Sequence, residues 1–142
     1  MTLVFTVDEC YGLAFGKRRQ SRDRELTKDL VRYANGRNIY AEEYSRLLFD
    51  EAEIDTASVG VSFNDDPLAE ASGDSVILLE LSCPDGALDS VDEVVIYLWN
   101  RRYPSTAKLD IGYIERYFSL TGSVDFVGNS HEKLTRVTYK RK

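Results

Sequence analysis

The stretch Thr2-Leu3-Val4-Phe5-Thr6-Val7 limits what this chain can become more than any other. It is a short, continuous apolar and β-branched run that stops at Asp8. Such a run suits a strand buried on both faces. Asp8–Arg24 follows as a loop holding Gly12 and Gly16 and turning strongly basic, then Ser21–Ala34 reads as a helix and Asn38–Tyr40 as a second strand. The order strand, loop, helix, strand predicts a parallel α/β unit with a ligand-sized loop at the mouth of the first strand. A chain of 142 residues is expected to form one domain, residues 1–142, with a core of its own.

Leu26, Leu30, Tyr33 and Ala34 fall on one helical face, Ser21 or Asp23 supplies the N-cap, and Asn35-Gly36 ends the helix. Glu42–Ala52 is amphipathic, with Tyr44, Leu47 and Leu48 expected inward. Ala57–Phe63 alternates like a strand, and Asp66-Pro67 opens a short helical stretch to Ala71. Val76–Leu81 and Glu93–Trp99 read as strong buried strands. Arg116–Leu120 is strand-like, interrupted at Thr121-Gly122, and Glu132–Lys140 alternates with Thr135, Val137 and Tyr139 on one face. An α/β start and a β-rich end predict a mixed sheet whose last two strands form an antiparallel hairpin.

The charge is unevenly laid out. Residues 42–93 hold fifteen acids against Arg46 alone, whereas residues 17–37 hold eight bases against three acids and residues 100–142 nine bases against four. The two basic ends either share one face or neutralise the acidic middle across the fold. The net charge of −6 and the lack of a reader motif argue against strong nucleic-acid binding. No apolar run approaches the ~20 residues of a membrane helix. The first residues carry no basic segment, so no secretory signal is expected and the cytoplasm is the expected compartment. Cys10 and Cys83 read as ordinary reduced cysteines. The acids have no metal-ligand spacing, so no metal is assigned.

Lys17-Arg18-Arg19-Gln20-Ser21-Arg22-Asp23-Arg24 places five bases just ahead of a helix, where free N–H groups favour anions. Loop and helix end together suit a phosphate or carboxylate; the plainer reading is a solvated basic loop paired with the acidic middle. The glycines match neither G-x-G-x-x-G nor a Walker loop. His131, the single histidine, is the one side chain that titrates near neutrality unaided. It reads either as a surface turn residue or as a general acid–base group.

Three stretches together resemble dihydrofolate reductase. Leu3–Asp8 through Tyr11-Gly12-Leu13 looks like that family's first strand and following loop; Asp29–Tyr33 through Asn38-Ile39-Tyr40 is similar to its first helix and second strand; Val91–Trp99 with Ser130–Arg141 looks like its final hairpin. The resemblance implies a three-layer fold with a mixed central sheet. It also implies a site that this chain departs from. The family's Pro-Trp before the first helix is absent. Its helix carboxylate falls near Glu25, or Asp29 on a different gap. Its Gly-Arg at the NADPH phosphate matches Ala41-Glu42, and an acid there repels a phosphate. Its paired glycines fall near Leu81-Ser82, and the threonine supporting the pterin carboxylate falls on Trp99. NADPH binding, and any cofactor, is therefore not expected.

The expectation is a reductase-like scaffold with a cleft turned to an anionic ligand, a nucleotide or other phosphate-bearing group. Arg18, Arg19, Arg22, Arg24 and Arg101 would meet the anion, and Tyr11 and Trp99 would stack on a planar group. The alternatives are a phosphodiesterase or nuclease using His131 and the basic loop, a residual reductase, and a non-catalytic interaction module. A strand edge also offers a route to homo-oligomers.

Overall fold

The computed structural model describes all of Met1–Lys142. In chain order the strands are β1 (Thr2–Val7), β2 (Gly12–Phe15), β3 (Arg18–Arg19), β4 (Ile39–Glu42), β5 (Val61–Asn64), β6 (Val76–Leu78), β7 (Glu93–Leu98), β8 (Ala107–Lys108), β9 (Phe118–Phe126) and β10 (Leu134–Arg141). The helices are α1 (Arg24–Ala34), α2 (Arg46–Glu51), α3 (Thr56–Val59), α4 (Pro67–Glu70) and α5 (Ile111–Tyr117). Seven strands form one sheet in the order β5-β4-β6-β1-β7-β10-β9, and β3-β2-β8 form a small second sheet.

β1 runs parallel to both β6 and β7, with Val4 opposite Leu78 on one side and Val95 on the other. All six residues of β1 are buried, as its unbroken apolar run requires. Alternation sends its side chains to two cores. Leu3, Phe5 and Val7 join Ile77, Val94, Ile96, Ile114 and Phe118 on one face. Val4 joins Leu26, Leu30, Ala34, Phe49, Leu78, Tyr97 and Trp99 on the other. Helices α1 and α2 cover this second face, while α5 and the small sheet cover the first, which makes three layers around a mixed sheet. β10 is antiparallel to β7 and to β9, so the last two strands do form a hairpin.

Several local expectations are corrected. The basic loop is partly a hairpin, β2 pairing with β3 and turning through Gly16 and Lys17, both in the left-handed region. Tyr44 and Leu47 are exposed, because a 3-10 turn at Glu43–Ser45 precedes α2 and rotates the buried positions to Leu48 and Phe49. Ala57–Val59 is helical, and β5 begins only after Gly60, whose positive φ reverses the chain. Residues Ile111–Tyr117 are helical, and β9 runs unbroken past Gly122 with a bulge against Thr138/Tyr139. β7 is a central strand beside β1 and not an arm of the final hairpin; the hairpin is β9–β10.

Candidate functional site

Helix α1 begins at Arg24 because Asp23, in extended backbone, caps it through a bond from the Glu25 N–H. Asp23 is 5% exposed and does more than cap. Its carboxylate accepts the backbone N–H groups of Asn129 (2.9 Å) and Ser130 (2.8 Å), the Ser130 hydroxyl (3.2 Å) and His131 Nδ1 (3.0 Å). The loop between β9 and β10 is thereby fastened to the start of α1. Gly128 permits the approach, since a Cβ there would lie 2.5 Å from Asp23 Oδ2. Burial alone would raise the Asp23 pKa, but the bonds from Asn129, His131, Ser130 and Glu25 outweigh it and hold the carboxyl at about 2.

His131 is 4% exposed, which corrects the reading of a surface turn histidine. Its ring stacks on Trp99 with centroids 5.0 Å apart. Its other nitrogen, Nε2, lies 3.0 Å from Ser21 Oγ and 3.3 Å from the Tyr103 hydroxyl. An ionised Asp23 can only accept, so Nδ1 carries the proton on that side, and in an imidazole without a second proton Nε2 is the acceptor that faces Ser21. Ser21, half-buried, thus begins a chain Ser21–His131–Asp23.

A second buried carboxylate faces the same region. Glu80, 2% exposed, is gripped in fork geometry by Arg19, with Nε–Oε1 at 2.8 Å and Nη2–Oε2 at 3.0 Å, and accepts the Ser45 hydroxyl at 2.6 Å. Arg19 also lies over the Tyr44 ring at 4.1 Å. The space between α1 and the strand ends, bordered by Thr6, Ser21, Leu30, Leu78, Glu80 and Trp99, amounts to about 10 Å³. That is room for about one water. A larger groove of about 440 Å³ opens on the other side of Trp99, along Asn100, Arg101, Lys133, Glu9 and Glu132. A hollow of about 580 Å³ lies at the opposite ends of the strands around Thr2, Arg37, Asp92 and Glu93 and contains no site residue predicted from sequence.

The tertiary structure sorts the predicted residues. Arg22, Arg101 and His131 come together around Ser130, whose Oγ lies 3.1 Å from the Arg22 carbonyl, a second acceptor for its one proton, and whose carbonyl accepts Arg101 Nη2 at 3.1 Å. Arg24 is exposed in the first turn of α1 and Arg18 is exposed on β3. Arg22 pairs with Glu51 at 3.4 Å on the surface. Arg19 is committed to Glu80. Tyr11 packs on the core face opposite Trp99, so the two rings do not form one platform. Trp99 is 3% exposed with one face on His131, and its Nε1–H is buried without an acceptor. Glu25 pairs with Lys28 at 3.2 Å on the helix surface, and Asp29 is buried elsewhere, bonded to Tyr97 and Arg136. Sequence reasoning found Asp23 and His131 separately. It missed Ser21 as anything but a cap, and missed Glu80.

No three or more histidine, cysteine, aspartate or glutamate side chains gather as a metal site. No helix is long and apolar enough to cross a membrane.

The strand order and the three layers define a fold of the dihydrofolate reductase type. A solved dihydrofolate reductase from Enterococcus faecalis, described as complexed with NADP(H) and RAB-propyl, matches with a TM-score of 0.60 at 8% identity, covering 99% of this chain and 95% of that one. No family model matches this chain, and no curated protein matches it in sequence. The likeness shows the architecture and assigns no residue a role.

Proposed function

We propose that this protein uses a dihydrofolate-reductase-type scaffold to bind a small anionic, phosphate-bearing ligand beside the Ser130 junction, and that it is not an NADPH-dependent reductase. One observation carries the reading. Around the Ser130 junction the two buried carboxylates are already matched, Asp23 to His131 and backbone, Glu80 to Arg19, whereas Arg24, Arg101 and Arg102 have no carboxylate within 4.0 Å, and the exposed Glu9 and Glu132 stand on the same groove as Arg101. Arg101 borders the groove beside Trp99, and a guanidinium without a carboxylate partner is suited to phosphate oxygens.

Two features support the second half of the proposal. Glu42 stands at the end of β4, where the resemblance calls for an arginine. Burial, and then the neighbouring Glu80 and Asp66, raise its pKa, which marks a locally negative surroundings. The space between α1 and the strand ends, beside Trp99 and Glu80, is about 10 Å³, too small for a pterin ring. The test is a thermal-shift titration with inorganic phosphate and with ATP, on the native protein and on Arg101→Ala/Arg24→Ala. Protection of the native protein and its loss in the double variant are expected; no shift with either anion removes the proposal. In the same samples, NADPH absorbance with dihydrofolate present is expected to stay constant.

A further inference from the structure

The clamp explains why Asp23 meets His131 Nδ1. It does not explain the other end of the ring, where Nε2 presents a lone pair to the half-buried Ser21 Oγ at 3.0 Å. We infer that Ser21 is a nucleophile for acyl transfer, with His131 as its general base and Asp23 as the residue that fixes the imidazole tautomer. The inference rests on the anion-binding reading only for how the substrate is steered.

The chemistry needs three things, and each has a named group. A base must take the hydroxyl proton; His131 Nε2 is within hydrogen-bond reach and is held in the accepting tautomer by an ionised carboxylate. A donor must meet the developing oxyanion. Trp99 borders the same small cavity as Ser21, and its buried indole N–H has no acceptor. A buried donor without a partner is uncommon and asks for a reason; we assign it to the substrate's carbonyl oxygen. The acyl group must fit. The space of about 10 Å³ beside Ser21, lined by leucines, holds a single water-sized group, such as the methyl of an acyl group whose carbonyl stays at the Ser21 edge, and excludes a longer chain. The substrate class is therefore a short-chain carboxylic ester of an anionic alcohol, its charge lying toward Arg101.

The step balances without any other reagent. Ser21 Oγ bonds to the carbonyl carbon as its proton passes to His131 Nε2. The ester C–O bond breaks, and the departing alkoxide takes that proton from Nε2. Water then attacks the acyl-serine, gives a proton to Nε2, and Ser21 Oγ recovers it as the free acid leaves. While Ser21 is acylated, the Tyr103 hydroxyl, 3.3 Å from Nε2, keeps the ring in register.

The test is covalent labelling of the full chain with a fluorophosphonate, read by intact and peptide mass, together with 4-nitrophenyl acetate hydrolysis. Labelling is expected at Ser21 and absent in Ser21→Ala, a variant that keeps Tyr103 on Nε2 and so keeps the clamp. His131→Gln and Trp99→Phe, each checked for native circular dichroism, are expected to slow labelling by about a hundredfold. A folded native protein that takes no label at Ser21, or labelling that folded His131→Gln leaves unchanged, overturns the inference. Phosphate protection without labelling overturns the nucleophile and leaves the anion site standing; labelling without phosphate protection does the reverse.

Discussion

Asp23 and His131, 108 residues apart in sequence, meet at 3.0 Å with both side chains almost wholly buried. The contact joins the start of α1 to the turn between the last two strands. Its energetic weight comes from burial: a carboxylate inside the protein is tolerated because every lone pair has a donor.

That arrangement makes stability depend on pH. The folded pKa of Asp23 is depressed to about 2 from an ordinary value of 3.8. The stabilisation is therefore fully present above the unfolded value and is lost as pH falls from about 4 toward about 2, amounting to roughly 2 kcal/mol. Urea unfolding between pH 6 and 2 is expected to show a steeper loss for the native protein than for Asp23→Asn. Parallel curves would show that Asp23 is not linked to folding in this way.

Gly128→Ala should loosen the same junction. The added Cβ would lie 2.5 Å from Asp23 Oδ2 and 2.7 Å from the His131 carbonyl, so one of the two must move. A loss of about 1–3 kcal/mol is expected, read as a lower denaturation midpoint, together with faster exchange of the Asn129 and Ser130 amides.

Arg19→Met should cost about 3 kcal/mol or more, because it strands Glu80 with Ser45 as its one remaining partner. Adding Glu80→Gln removes the stranded charge and should restore most of the loss. If single and double variants unfold at the same denaturant concentration, the pair is not the source of the cost.

Tyr97→Phe removes a hydroxyl that donates to Asp29 Oδ2 at 2.6 Å in the buried core; Arg136 Nη1 holds the same oxygen at 2.6 Å. Burial first, and then Asp29, push the phenol pKa far up, so this tyrosine stays a donor at any practical pH. With Arg136 still in place, a loss of about 1–2 kcal/mol is expected by calorimetry or urea unfolding.

Much of the architecture was legible in residue order. β1 is an apolar run that can only be buried, the glycine and proline punctuation bounds the central strands, and α1 carries leucines four apart with an acidic cap ahead of them. These are local signals, set by the chain's own periodicity and turn chemistry. The site was less legible. Ser21, Asp23, Trp99 and His131 are each ordinary in their own neighbourhoods, and nothing in the spacing ties the first two to the last. Only closing the sheet, with β10 laid against β7, carries His131 back over α1, stacks it on Trp99 and buries it. The basic stretch shows the same division. Sequence supplied the number and order of its arginines, whereas the tertiary structure turned Arg19 inward to Glu80 and left Arg18 and Arg24 outside. Burial and partnership are properties of space, and a charge takes its role from the groups that packing brings within a few ångströms of it.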